Sequence, residues 1–158
     1  GFEQHNPHHD RDVWLHTAAV VEHIPQEPVL RWAALLHDVG KPPCFSLGPD
    51  GVGHFYGHAA KSTELAEGIL TRLRFDTAGR TRITQLIRYH DLPIAPEAKP
   101  IRRLMNKLGV ETVRQLFELH IADTCGQSAI CAGRVETYRQ ARPGGRRGAA
   151  GVSGRGHG

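Results

Sequence analysis

Cysteine is scarce in this chain. Only Cys44, Cys125 and Cys131 occur among 158 residues, and no two of them have the C-x-x-C spacing of a zinc or redox site. Their odd number and low density exclude the disulfide frameworks of small secreted proteins. We therefore expect free thiols and a reducing, cytoplasmic compartment.

Long apolar runs are also missing. Hydrophobic residues make up 39% of the chain, yet no stretch approaches the roughly 18 apolar residues that span a bilayer. We therefore expect neither a signal peptide nor a membrane anchor. A chain of this length fits one compact domain with a sizeable core, whereas two domains would be crowded.

The net charge of +4 is concentrated at the end of the chain. Residues 142–158 contain four arginines and no acid, whereas the remainder balances 16 basic against 16 acidic residues. Because this segment is too rich in glycine and arginine to bury a core, we predict a disordered tail after a domain spanning 1–141. Within that domain, 72–107 holds nine basic residues against three acids, an excess that either attracts phosphates or solvates helix surfaces.

No segment alternates convincingly with period two, so no substantial sheet is expected. Apolar residues instead recur every three or four positions, and Pro28 and Gly40 are a typical helix start and stop. The pattern predicts an all-α bundle of about six or seven helices, with a Gly-rich loop over 46–57. The predicted helices are 12–23, 28–38, 58–74, 77–90, 100–108, 111–125 and 130–141.

Several of the apolar helix faces continue into a histidine or an aspartate. A single buried histidine is usually a hydrogen-bonded core residue. Burying unpaired polar groups costs about 1 to 3 kcal/mol each, so a core that collects them from five predicted helices needs a partner for them. The residues concerned are His16, His37, Asp38, His58, His90 and Asp123.

A divalent cation removes this cost, because it accepts neutral imidazole nitrogens and ionised carboxylates as ligands. We predict the ligand set His16, His37, Asp38 and Asp123, with Gly40 supplying the turn that lets the adjacent His37 and Asp38 reach one ion. Since the set contains no thiolate, it suits Mn, Fe, Co, Ni or Mg better than a closed structural zinc site. Water and a phosphate oxygen would take the open positions.

Two further residues, Lys41 and His120, are candidates for a supporting role at this site. Lys41 either places a cation favourably beyond a helix end or receives a substrate phosphate beside the metal. We favour the second interpretation, so that His37, Asp38 and Lys41 are the residues expected to carry the chemistry. His120 shares a helix face with Asp123 and is a candidate to support that ligand.

The order His16, His37-Asp38, Asp123 resembles the HD superfamily of metal-dependent phosphohydrolases. The segments QHNPHHDRDVWLHT, LRWAALLHDVGKP and GHFYGHAAKSTELAEGILTRLRF are similar to the HD domain of bacterial CCA-adding tRNA nucleotidyltransferases and related poly(A) polymerases. The resemblance implies a helical HD domain that hydrolyses phosphomonoester or 2′,3′-cyclic phosphodiester bonds of nucleotides or RNA ends, with tRNA as a further partner. The nucleotide-adding head of that family carries a Gly-Ser start followed by an Asp-x-Asp pair, and no such combined motif occurs here, so this chain is not expected to add CCA.

The resemblance also bears on His58 and His90, which occupy the places that hold a second ion in two-metal HD relatives. Those relatives usually have His-His where this chain has His90-Asp91. Metal or phosphate binding and buried polar packing are equally good explanations of the two histidines. Two other functions stay open: a non-catalytic, tRNA-contacting HD module, and a signalling phosphodiesterase of the HD-GYP kind, which ranks last because the Gly-Tyr-Pro element is missing.

Overall fold

The structure, a computed structural model, describes residues 1–6, 12–127 and 132–144. These ranges form a helical bundle, which confirms the predicted all-α class. A short 3-10 turn, Pro42–Cys44, and two strands, β1 (Ser46–Leu47) and β2 (Gly53–His54), lie between the second and third helices. The helices are α1 (Val13–His23), α2 (Pro28–Leu36), α3 (His58–Arg72), α4 (Thr77–Tyr89), α5 (Ala98–Leu108), α6 (Val110–Cys125) and α7 (Ala132–Ala141).

Helix α6 is the centre of the bundle. It packs against α1, α2, α4, α5 and α7, while α3 packs on α4. The core between these helices is apolar and tightly closed, and its largest fully buried side chains include Leu30, Leu70, Leu86, Leu116 and Phe117. Burial of such side chains is the main driving force for folding. The histidines predicted to point inward and Asp38 are buried as well.

Helix α2 ends two residues earlier than predicted. Its last residue is Leu36, and His37 is its C-cap. Asp38 therefore lies in the turn that follows, although the His37 backbone is still helical, with a φ of −60° and a ψ of −33°. The two side chains nevertheless meet, since the Nε2 of His37 lies 3.2 Å from Asp38 Oδ2.

Gly40 lies where the turn after α2 approaches α3 closely. Its φ is not positive, so the need for a glycine comes from the lack of space for a side chain and not from the backbone conformation. A β-carbon at Gly40 would lie 2.5 Å from the backbone nitrogen of Ser62 and 2.8 Å from the carbonyl oxygen of His58 on α3. The Gly40 N–H donates to the Ser62 hydroxyl at 2.8 Å. The turn after α2 thus docks directly on the first half of α3, which brings Asp38 close to His58.

The predicted 46–57 loop contains a small hairpin. Strands β1 and β2 pair antiparallel, with Ser46 opposite His54 and Leu47 opposite Gly53. Two-residue strands are too short to show an alternating pattern, so the sequence could not predict them. The Gly53 N–H donates to the carbonyl of His5 at 2.6 Å, which holds the N-terminal segment against the hairpin.

Three other expectations concern cysteines, the tail and membranes. Cys44 and Cys125 are free thiols, whereas Cys131 lies outside the described residues. The predicted domain boundary at residue 141 stays a prediction, although α7 ends at Ala141, and most of the predicted tail, from residue 145, also lies outside them. Within the described ranges, every helix is too short or too polar to cross a bilayer.

Candidate metal centre

Four side chains from separate parts of the chain meet between α1, α2 and α6. His16 lies on α1, His37 and Asp38 follow α2, and Asp123 lies on α6. Each offers one nitrogen or oxygen atom, and these atoms all lie within 4.8 Å of one another. His16, His37 and Asp38 are buried, whereas the Asp123 side chain is 20% exposed. The structure thus brings together the four residues predicted as metal ligands.

The spacing of these atoms fits an ion's coordination shell. The Nε2 of His16 is 2.8 Å from Asp123 Oδ1 and 3.4 Å from Asp38 Oδ2. The Nε2 of His37 is 3.2 Å from Asp38 Oδ2 and 3.3 Å from Asp123 Oδ1. Neighbouring ligand atoms in an octahedral shell with bonds of about 2.1 Å are about 3.0 Å apart. No large rearrangement is needed to admit a divalent cation.

A second set of ligand atoms shares Asp38. Its other carboxylate oxygen, Oδ1, is 3.4 Å from His58 Nε2 and 3.5 Å from His90 Nε2. The two histidine nitrogens are 3.3 Å apart. All three residues are buried, and their atoms also lie within 4.8 Å of one another. Asp38 therefore faces His16 and His37 with one oxygen and His58 and His90 with the other.

All four histidines are oriented in the same way. A carbonyl oxygen only accepts hydrogen bonds, so each Nδ1 must carry the proton, and Nε2 of each neutral ring is left with a lone pair facing the centre. Metal-binding histidines typically have this arrangement. The contacts are His16 to Gly126 at 2.9 Å, His37 to Ala34 at 2.6 Å, His58 to Phe55 at 2.9 Å and His90 to Ile87 at 2.6 Å.

Lone pairs that face each other or a carboxylate need a positive charge between them. The Nε2 atoms of His58 and His90 face each other, and with both Nδ1 atoms protonated, neither neutral ring has a proton to donate across the gap. Among the described residues, Nε2 of His37 and Oδ2 of Asp38 are buried without a hydrogen bond, although Oδ2 lies 3.1 Å from the Lys41 ammonium. Such groups are costly to bury unless a cation compensates them. The residues present therefore fit a bound divalent cation.

The pKa shifts of His37, Asp38 and Asp123 also indicate that positive charge stabilises the centre. Burial alone would lower the pKa of His37, but the neighbouring carboxylates of Asp38 and Asp123 raise it to about 10. Burial likewise favours a higher pKa for both carboxyl groups. His37 and Lys41 nevertheless hold the pKa of Asp38 well below its ordinary value, and His16 and His37 do the same for Asp123. Without a metal, a proton on His37 supplies part of the missing positive charge.

Metal binding is therefore expected to strengthen as the pH rises. At pH 7 the His37 ring is protonated in the metal-free protein because its pKa is about 10, and a cation must displace that proton. Each displaced proton raises the association constant about tenfold per pH unit below that pKa. Calorimetric titration with Mn²⁺ at pH 6, 7 and 8, in buffers of different ionisation enthalpy, measures the association constant and the number of protons released. Equal affinity at all three pH values, with no proton release, would contradict this assignment.

Lys41 lies beside the centre and is held firmly. Its ammonium donates to Gln4 Oε1 at 2.7 Å, pairs with Asp38 Oδ2 at 3.1 Å and lies 5.1 Å from the centre of the Phe55 ring. Lys41 is only 5% exposed, but it lines the cleft described below. A role in receiving a substrate phosphate stays a prediction, and the contact with Asp38 shows that Lys41 also orients that carboxylate.

His120 contacts residues of α4 and α7. Its ring packs edge-on against Tyr138, with ring centres 5.5 Å apart, and it hydrogen-bonds the backbone of Tyr89. Burial lowers the pKa of His120 to about 4, so the ring is neutral at physiological pH. The structure places His120 between α4, α6 and α7, and it is absent from both ligand clusters of the described residues.

A cleft of about 310 Å³ opens over both sets of ligands. Asp38, His58, His90 and Asp123 all contribute to its walls. The hairpin and the residues that follow it supply a further wall, from Gly53 to Gly57, in a segment that the sequence predicts only as a loop. The signal for it is the run HFYGH, in which a histidine, two aromatic residues and a glycine precede the ligand candidate His58.

Comparison with known proteins shows which proteins this chain is similar to. A family model described as HD domain matches residues 8–123. The A-adding tRNA nucleotidyltransferase of Deinococcus radiodurans is 38% identical over 96 residues, which cover 60% of this chain and 22% of that protein. The CC-adding tRNA nucleotidyltransferase of Thermus thermophilus is 38% identical over 109 residues, covering 65% and 25%. The multifunctional CCA protein of Nitrosococcus oceani is 32% identical over 133 residues, covering 78% and 32%.

These relatives are much longer proteins, since the matched region spans only 22% to 32% of their length. The family match, in contrast, covers most of this chain and includes all six residues of the two ligand sets. The chain therefore belongs to the HD domain family, within a superfamily of metal-dependent phosphohydrolases.

Proposed function

We propose that this chain is a cytoplasmic, metal-dependent phosphohydrolase that cleaves phosphomonoester or 2′,3′-cyclic phosphodiester bonds of nucleotides or RNA ends. One observation carries the proposal: four histidine Nε2 atoms and two carboxylates converge below an open cleft, with every Nδ1 fixed by a backbone carbonyl. A purely structural core has no use for this arrangement.

The assignment of ligands follows from the two clusters. His16, His37, Asp123 and Oδ2 of Asp38 would hold one ion, and His58, His90 and Oδ1 of Asp38 would hold a second. Mn, Fe, Co, Ni and Mg suit this mixture of imidazole and carboxylate groups. A bound divalent ion would lower the pKa of a water ligand towards about 7 and polarise a phosphoryl oxygen.

The protein side chains then have positioning and electrostatic tasks. Among the described residues that line the cleft, none is serine, threonine or cysteine, and we propose water as the attacking group. Asp38 fixes the relative position of the two ligand sets, and Lys41 places a positive charge at the cleft wall where a substrate phosphate enters. A buried ammonium beside a phosphate stabilises the negative charge that it carries.

An RNA end as substrate has two supports. The relatives described above are named tRNA nucleotidyltransferases, and the outer face of α5 is strongly basic. Its exposed basic side chains are Lys99, Arg102, Arg103 and Lys107.

The proposal is tested by hydrolysis assays with Mn, Fe, Co, Ni and Mg. We expect turnover of 2′,3′-cAMP and of a short RNA with a 2′,3′-cyclic phosphate end, with a lower KM for the RNA that is lost as salt is added. His37→Ala should abolish turnover, whereas His23→Ala, which removes an exposed histidine at the end of α1, should not. Circular dichroism checks that both variants fold.

The following results would contradict the catalytic proposal. If metal-loaded protein hydrolyses none of these substrates with any of the ions, the catalytic proposal is wrong. Salt-sensitive tRNA binding that Asp38→Ala leaves unchanged would then favour the non-catalytic, tRNA-contacting module.

A further inference from the structure

We propose that Tyr56, supported by His54, is a stacking site for the base of the substrate, so that the cleft selects nucleotides and RNA ends over phosphoesters without a base. This inference rests on the proposed function and names its substrate class more narrowly. It depends on the exposure, support and location of one aromatic ring.

The first observation is the exposure of Tyr56. It is 77% exposed, more than the other large hydrophobic side chains that the described core leaves on the surface. A single exposed apolar side chain is ordinary on a protein surface. Tyr56, however, lines the same cleft as the ligand residues Asp38 and His58, and it lies two positions before His58 in the chain. An aromatic ring is therefore available to a molecule whose phosphate lies at the metal centre.

The second observation is the ring beside it. His54 and Tyr56 are nearly parallel, with an interplanar angle of 7° and ring centres 5.3 Å apart. The Tyr56 hydroxyl lies 3.4 Å from His54 Nδ1. His54 thus fixes the orientation of Tyr56 from one side, and the high exposure of Tyr56 leaves ring surface available for a base.

The third observation is that the segment carrying this pair is anchored. The Gly53 N–H donates to the carbonyl of His5 at 2.6 Å. The ring of the intervening Phe55 packs against Phe45 at 5.5 Å and against the Lys41 ammonium at 5.1 Å. A side chain held in place before binding loses less conformational freedom on association. Tyr56 is therefore presented by a fixed support.

The size of the cleft is consistent with a nucleotide. At about 310 Å³, it lies at the lower end of the range of about 300 to 1,000 Å³ for small-molecule sites. One phosphate, one ribose and one base fit that scale, whereas a duplex does not. Stacking on an aromatic ring is tolerant of base identity, because every base has a π-face. We therefore expect purines and pyrimidines to be accepted.

The test compares Tyr56→Ala with Tyr56→Phe on substrates with and without a base. With 2′,3′-cAMP, Tyr56→Ala should raise KM by about 5- to 100-fold, the range expected for losing one stacked base, with little change in kcat. Tyr56→Phe keeps the ring and should retain the wild-type KM. With the baseless ribose 2′,3′-cyclic phosphate, all three proteins should have the same KM.

A matched control and a binding measurement separate this inference from the catalytic proposal. Leu47→Ala removes an exposed apolar side chain from the other strand of the hairpin and should leave KM unchanged. Calorimetric titration with 3′-AMP should show the same loss of affinity in Tyr56→Ala even if no substrate is hydrolysed. Equal 3′-AMP affinity of Tyr56→Ala and wild type, or no measurable binding by either, would overturn the stacking site.

Discussion

Asparagine in place of Asp38 is expected to abolish both metal binding and phosphoester hydrolysis. Asp38 contributes to both ligand sets, Oδ2 towards His16 and His37 and Oδ1 towards His58 and His90. The amide retains one oxygen and no charge, so at least one set loses its Asp38 ligand and both lose the carboxylate charge. Because metal activation supplies several kcal/mol of the rate enhancement, we expect kcat to fall by at least about 1,000-fold. Elemental analysis and steady-state kinetics on the same preparations measure both effects.

Asp91→Asn is the matched control for this variant. Asp91 also lines the cleft, but it belongs to neither ligand cluster of the described residues. It should keep its full metal content and most of its activity. Thermal denaturation of Asp38→Asn verifies that the variant is folded, since Lys41 loses the carboxylate that pairs with it. Metal content equal to that of wild type in a folded Asp38→Asn protein would show that this carboxylate does not bind the ion.

Saturating Mn²⁺ is expected to raise the melting temperature by about 8 to 16 °C over chelator-treated protein. A ligand at about 1,000 times its Kd stabilises the folded state by about 4 kcal/mol, and a chain of this size gains about 2 to 4 °C per kcal/mol. The physical reason is that Lys41 and a proton on His37 compensate only part of the negative charge buried in the metal-free centre. Differential scanning calorimetry with and without a chelator provides the measurement.

The pair of variants His58→Ala and His16→Ala extends this experiment. His16 faces the first ligand set and His58 the second, so each should remove part of the metal-induced shift, whereas Asp38→Asn should remove all of it. A shift of the same size in Asp38→Asn as in wild type would mean that Mn²⁺ stabilises the protein from another site.

The sequence was sufficient to predict the helices and the four primary ligand candidates. Apolar periodicity places a side chain on a helix face, and polar residues that continue such a face must point inward. His16, His37 and Asp123 are examples, and their meeting in space follows from the packing of α1, α2 and α6. The sequence predicts Gly40 only as a helix stop and a turn. Its close approach to α3 is a tertiary contact that no local pattern contains.

Other features of the site depend on long-range geometry and could not be predicted. The sharing of Asp38 between two ligand sets requires His58 and His90, which are 32 residues apart, to face each other at 3.3 Å. The support of Tyr56 by His54 arises from a hairpin whose strands are only two residues long. Periodicity has nothing to measure in such a short element. The hairpin strands that form one wall of the cleft therefore could not be predicted from the sequence, whereas the ligand candidates beneath it could.

Anomalous diffraction from crystals saturated with Mn²⁺ or Co²⁺ tests the central claim most directly. We expect one strong peak within about 2.0 to 2.3 Å of His16 Nε2, His37 Nε2 and carboxylate oxygens of Asp38 and Asp123, and a second beside His58 and His90 on the opposite oxygen of Asp38. Peaks only at surface sites, with the buried centre showing none in metal-saturated crystals, would contradict the claim that these side chains converge to bind a cation.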